Sequence, residues 1–223
     1  MCEIISKIES VTMKYFSFIL VLFFISCGNK EDVLLPKSDT TVVSDVKDHS
    51  PIYIFFRVNG KDTLVEVNRK NSIITTNWIF NIDKRLPLKV IIPEVMKLQD
   101  KKRKEKEHKN EKAENYYSYA DTVKENLAFL PFTKVYYTIG KPKNDDFVIS
   151  FKKGSDMVWL NGKAVKKADL IQEFFSIRFF KRPQVVLQFD KNMSYDEYIQ
   201  NKILVQKFDL YSVNPISQKE FVF

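Results

Sequence analysis

The sequence predicts an α+β fold: two tandem ββαβαβ-type lobes, each a small sheet covered by helices, behind an N-terminal signal and tether. Three observations carry this expectation. Apolar residues are 44% and aromatic ones 14% of the 223, with 19 Phe and 10 Tyr, far more than a solvated chain carries. Short runs of β-formers closed by turn residues alternate with apolar residues at helical spacing. Some words of the first half also return in the second. Five glycines and eight prolines exclude collagen and glycine-rich linkers. The 36 Lys+Arg against 28 Asp+Glu leave a charge of +8, moderate and with both signs dense, as suits an ordinary soluble surface as well as an anionic partner.

In chain order, residues 1–26 read as a signal. Lys14 precedes an apolar run from Tyr15 to Ser26, about 18 Å as a helix against the roughly 30 Å of a hydrocarbon core, so it is too short to span. Residues 1–12 lie upstream of Met13 and read as an over-extension of the reading frame. Phe24-Ile25-Ser26-Cys27-Gly28 resembles a bacterial lipobox, with Phe24 where Leu is usual. The resemblance implies cleavage before Cys27 and a lipid on its sulfur, with each buried CH₂ adding about 0.8 kcal/mol to anchoring. The expected location is the cell envelope, on the outer membrane, since Gly28 is not the acidic residue that retains lipoproteins on the inner one. Once Cys27 is lipidated and Cys2 removed, no cysteine pair is left for a disulfide. Residues 27–50, polar and without period, are expected to form a tether.

The C-terminal lobe, 146–223, has the plainer signals. Phe147–Phe151 and Met157–Leu160 read as strands separated by the turn Lys153-Gly154-Ser155-Asp156. Leu170, Ile171, Phe174, Phe175 and Ile177 place a helix over 167–179. Pro183 precedes a buried strand, Val185–Phe189, and Ser194 with Glu197 forms a capping box that opens a helix over 194–206. Phe208–Val213 alternates as a last strand. The C-terminal residues Phe221, Val222 and Phe223 are expected at a sheet edge that binds a partner by strand addition.

The words in this half resemble the periplasmic domain of the ExbD/TolR family, the biopolymer transport proteins. They are Val158-Trp159-Leu160-Asn161-Gly162-Lys163-Ala164-Val165, Ala168-Asp169-Leu170, Pro183–Lys191 and Met193–Tyr198, within about residues 147–213. The resemblance implies a dimerising, partner-binding module accessory to a TonB/Tol-type transport system. An envelope protein, peptidoglycan or a second copy of the chain are the partners it suggests. The family's acidic transmembrane helix has no counterpart in Tyr15–Ser26, so no motor residue carries over.

The N-terminal lobe, 51–140, opens on Ile52–Phe56 and Thr63–Val67, a hairpin whose loop looks longer than two residues. Thr76 or Asn77 caps a short helix carrying Trp78, Ile79, Phe80 and Ile82. Pro87–Glu94 mirrors the strand of Pro183–Asp190 at an offset of 96, with Trp78 opposite Phe174. Ser118–Val123 mirrors Ser194–Ile199 at an offset of 76, as does Phe132 opposite Phe208. The 20-residue difference between these offsets matches a charged insertion over 96–115. Its residues 97–114 hold eight Lys/Arg and five Asp/Glu and are expected to extend the following helix.

Catalytic candidates are scarce. His49 falls in the tether and His108 in the charged run, so no Ser/His/Asp or Cys/His set assembles, and no metal ligand set or phosphate loop is present. No catalytic residue, metal or cofactor is therefore nominated, and nucleic acid is not an expected partner of a mixed-sign charged run. The expected function is lipid-anchored binding or scaffolding in the cell envelope. The alternatives are a surface lipoprotein hydrolase or glycan-processing enzyme, and a membrane-anchored transport subunit of the ExbD type.

Overall fold

Two β-hairpins, each continued by parallel strands through a helical crossover, organise the chain into two mixed sheets. The structure, a computed structural model, describes residues 32–60, 62–106, 110–179, 183–209 and 216–223. The signal, Cys27 and His108 lie outside the described residues. The first sheet holds β1 (Lys37–Ser38), β2 (His49–Asn59), β3 (Asp62–Asn68), β4 (Asn77–Ile82), β5 (Asn115–Asp121) and β6 (Asn126–Pro131), in the order β1-β5-β4-β2-β3 with β6 also on β5. The second holds β7 (Tyr136–Ile139), β8 (Phe147–Phe151), β9 (Met157–Leu160), β10 (Lys163–Lys166), β11 (Val185–Phe189) and β12 (Ile216–Val222), in the order β10-β9-β8-β11-β12-β7. Three α-helices are described: α1 (Leu88–Lys104), α2 (Leu170–Ser176) and α3 (Tyr195–Asp209). The fold is mixed α and β, as the α+β expectation has it.

Four strands in each sheet follow one plan. β2 pairs antiparallel with β3 and parallel with β4, and β4 pairs parallel with β5. β8 likewise pairs antiparallel with β9 and parallel with β11, and β11 parallel with β12. Parallel neighbours need a crossover, and α1 and α3 supply it between the third and fourth strands. The inward residues of both sheets, among them Ile52, Phe80, Ile149 and Leu187, pack with α1 and α3 into one apolar cluster. Burial of that shared core, worth about 25 cal/mol per Å² of apolar surface, joins Val33–Phe223 into one compact unit.

The turns leading into α1 and α3 pair with each other. Leu88 N–H donates to Met193 O at 2.9 Å and Tyr195 N–H to Leu86 O at 2.8 Å. Lys89 N–H donates to Lys191 O at 2.8 Å and Asp196 N–H to Lys84 O at 3.1 Å. Each bond has its mirror at an offset of 107 residues, around a bridge between Pro87 and Ser194. Inside each turn the pattern repeats. Asp83 N–H donates to Ile54 O and Asp190 N–H to Phe151 O, both at 3.0 Å, and each Asp Oδ1 accepts the amide two residues on.

Several sequence expectations fail here, each for a local reason. Residues 78–82 are a strand: Trp78, Ile79, Phe80 and Ile82 are buried between two neighbouring strands, so both faces are apolar and no alternation shows. Pro87–Glu94 is the start of α1, because Leu88, Ile91, Ile92, Val95 and Leu98 turn one stripe inward despite Pro93. The charged run extends this preceding helix, and Ser118–Val123 falls in and just after β5, so the offsets of 96 and 76 match strands with helices. Phe208 and Asp209 fall within α3, and residues 210–213 of the expected last strand lie outside the described residues. β2 ends at Asn59 and β3 starts at Asp62, so the hairpin loop is short. Residues 33–50 are no free tether. Tyr119 Oη donates to Thr40 O at 2.8 Å and accepts Val42 N–H at 2.9 Å, and Val43 and Val46 pack on Ile79 and Phe129. β7, expected in the N-terminal lobe, belongs to the second sheet.

Candidate functional site

Two arrangements of polar side chains stand out, one between the sheets and one on the outside of the second. The first starts at Glu220 on β12, buried by its neighbours on β7 and β11. Its carboxylate pairs with Lys202 of α3 and accepts Tyr198 Oη at 2.8 Å. A hydroxyl has one proton to donate, so Tyr198 accepts from Tyr137 at 3.0 Å, and Tyr137 accepts from Tyr117 at 2.7 Å. The chain thus runs from α3 and β12 through β7 to β5 and crosses between the sheets. Burial pushes the Tyr117, Tyr137 and Tyr198 hydroxyls well above their usual range, and nearby acidic oxygens add to it, so all three stay neutral donors. Tyr195 is equally buried, and its hydroxyl finds no partner among the described residues. Lys202 and Glu220 also line a cleft of about 400 Å³ with Thr133, Gln206 and Ser217. This chain holds the halves in register, and its groups are already spent on one another.

The second arrangement is a groove of about 670 Å³ on the outer face of the second sheet. Side chains alternate across a strand, so the residues flanking the core-facing Ile149, Phe151, Leu160 and Leu187 point outward. Register places Trp159, Ser150 and Gln188 in one row across β9, β8 and β11. Lys152 Nζ stands 4.0 Å from the centre of the Trp159 ring, a cation–π contact. The rim comes from the link between β7 and β8. Gly140 at φ 134 turns the chain there, and a turn closes through Asp146 N–H to Lys143 O at 3.3 Å and Lys143 N–H to Asp146 Oδ2 at 3.1 Å. Lys141, Lys143 and Asn144 on that link and Asn161 after β9 complete the wall.

No family model, curated protein or solved structure matches this chain. The site therefore rests on its own geometry. Among the described residues no group of three or more His, Cys, Asp or Glu stands close enough to hold a metal, and no helix is long and apolar enough to cross a membrane.

The residues nominated from sequence are dispersed. Cys27 lies outside the described residues. Phe221 and Val222 are buried in β12, which is paired with β11 on one side and β7 on the other, so they form no edge. The chain was expected to finish at a rim, but β7 reaches across sequence to cover it. Phe223, just past β12, is bonded to Phe189 O through its N–H and to Lys191 N–H through its O, and its side chain lines the outer groove. Sequence reasoning missed Trp159, Lys152 and Glu220 as site residues. The signal available was the strand period: in Met157–Leu160 alternate residues are buried, which puts Trp159 outside.

Proposed function

We propose that this chain is a lipid-anchored binding or scaffolding protein of the cell envelope, held by lipid at Cys27, whose two halves are copies of one ββαβαβ-type lobe resembling ExbD/TolR periplasmic domains. The reciprocal pairing of the two turns carries this reading. Four main-chain bonds related by one offset are what two copies of a unit make when they meet about a two-fold axis, where each patch is its own partner. Two of the words behind the family resemblance, Pro183–Lys191 and Met193–Tyr198, meet at the turn that pairs with Asp83–Leu88. On this reading the dimerising contact that the resemblance implies is one that the chain makes with itself. The first copy lacks the leading helix, since residues 69–76 are a loop where the second has β10 and α2. Its partners, on this reading, are the membrane through the anchor and an envelope protein or peptidoglycan, in an accessory role to TonB/Tol-type transport.

Growing cells with an alkyne-bearing palmitate and expressing the full chain tests the anchor. Label and membrane association are expected in the wild type and lost in Cys27→Ser. Label that persists in that variant sinks the lipoprotein reading.

A further inference from the structure

We propose that the outer groove of the second sheet binds an anionic saccharide, with Trp159 as its stacking platform and Lys141, Lys143 and Lys152 as its cationic rim. The groove's size, about 670 Å³, lies in the range of sites that enclose a small ligand. Its charge is one-sided. Three ammonium groups face one acidic side chain, Asp146, and that carboxylate already accepts Lys143 N–H. A concave surface of one sign concentrates counter-charged ligands. The floor is a face of the sheet, where main-chain groups are spent in the ladder between β8, β9 and β11, so on that floor a ligand is read by side chains. This disfavours an acidic peptide, which gains most from an unpaired strand edge.

The side chains present suit a sugar. Asn144, Asn161 and Gln188 each offer a donor and an acceptor a fixed distance apart, and Ser150 adds a hydroxyl, a set that matches neighbouring sugar hydroxyls. A pyranose that takes the place of the Lys152 ammonium would set its C–H side on the Trp159 ring. The exposed Lys152 side chain, swung off that ring, can then meet a carboxylate on the same sugar. On the first sheet Val43 and Val46 cover Ile79 and Phe129, and the places of Ser150 and Gln188 are taken by Tyr53 and Asn81, with no lysine beside them in the register.

The chain has two tryptophans, and Trp78 is fully buried, so a fluorescence change on titration reports Trp159. Titrating the detergent-solubilised full chain with tetragalacturonate is expected to give a saturable change that weakens as salt is raised. Calorimetry is expected to show Lys152→Gln binding about tenfold more weakly, the worth of one charge-assisted hydrogen bond, and Trp159→Ala not binding. Lys152 is exposed, so its variant reads binding and not folding. No response to tetragalacturonate, an equal response to neutral maltotetraose, or a response confined to polyglutamate or to phosphatidylglycerol vesicles each overturns the proposal. It rests on reading the chain as a binding module but not on the anchor. Palmitate labelling without saccharide binding defeats the groove alone.

Discussion

The Asp83 and Asp190 turns share a backbone and differ in what their side chains do. Asp83 is fully buried. Its carboxylate takes the Arg85 guanidinium at two points, 2.8 and 2.7 Å, and the Leu34 amide at 3.3 Å, so it ties the N-terminal segment to the first sheet. Asp190 is half-buried, and Asn192 follows it where Arg85 follows Asp83. The fourth strands diverge the same way: register puts Tyr117 of β5 where β12 has Glu220. So do the outer faces: Val43 and Val46 cover Ile79 and Phe129 on one, and the other carries the groove beside Trp159. The contrast teaches a division of labour. Main-chain bonds keep the common plan, and side chains set the halves apart: the first spends Asp83 on its N-terminal segment, and the second spends Glu220 on α3 and carries the groove beside Trp159.

The sharpest way to break this comparison is at the fourth strands. Glu220→Ala leaves Lys202 without its carboxylate and Tyr198 without its acceptor in the interior, and is expected to cost about 3–5 kcal/mol. Tyr117→Phe at the matching place removes one neutral hydrogen bond and is expected to cost about 1 kcal/mol. Urea unfolding of the two variants measures both. Equal losses mean that the ion pair does not anchor the hydroxyl chain.

A second buried charge belongs to the first half only. Lys102, in the last turn of α1, donates to Thr76 O at 2.9 Å, Glu114 O at 3.2 Å and Asn115 Oδ1 at 3.0 Å. Burial lowers its pKa to about 8 against a partial rise from the Glu114 charge. The unfolded chain therefore binds more protons than the folded one between pH 8 and the ordinary lysine value near 10.5. Stability contributed here rises with pH across that window, by about 2–3 kcal/mol. Between pH 7 and 9, below the range in which the tyrosines of the unfolded chain ionise, unfolding midpoints should show the start of this rise in the wild type and not in Lys102→Met.

What could be read in the sequence followed the same division. In the second half, Phe147–Phe151, Met157–Leu160 and Val185–Phe189 were legible to the residue, because turns and Pro183 bracket each run. The capping box marked α3. In the first half, Trp78–Ile82 is apolar on both faces and Val90-Ile91-Ile92 is β-branched, so local preference pointed the wrong way for each, and packing decided. The site was less legible than the fold. Trp159, Ser150 and Gln188 come together only through register, and the residues of β7 that cover β12 are 83 positions away in sequence.

A smaller effect separates the turns themselves. Burial pushes the Asp83 carboxyl up, but the bonds from the Arg85 side chain and from the Arg85 and Leu34 amides outweigh it and hold the group below the usual value of 3.8. A depressed carboxylate contributes its stability above the unfolded value and loses it as pH falls through the folded one. Asp83→Asn is thus expected to cost about 1–2 kcal/mol at pH 7 and to narrow its gap from wild type below pH 4. Asp190→Asn keeps an oxygen for the Asn192 amide and is expected to cost less than about 0.5 kcal/mol.

The smallest expected difference lies at the paired helix starts. Ser194 Oγ accepts Glu197 N–H at 3.3 Å, while Glu197 Oε2 accepts Ser194 N–H at 3.1 Å and Ser194 Oγ–H at 2.8 Å, a closed capping box. Its partner across the bridge is Pro87, which caps α1 with no side-chain bond. α1 starts instead from the fixed φ of proline and from bonds that the opposite turn makes to its first amides, Leu88 and Lys89. Ser194→Ala should therefore cost about 1 kcal/mol, the usual loss of a cap. Pro87→Ser should change stability by less than about 0.5 kcal/mol, because residue 90 is Val and cannot return the bond that Glu197 makes. If Pro87→Ser instead stabilises as much as Ser194→Ala destabilises, capping and not the bonds between the turns governs how both helices begin, and the reciprocal pairing is a consequence of helix placement.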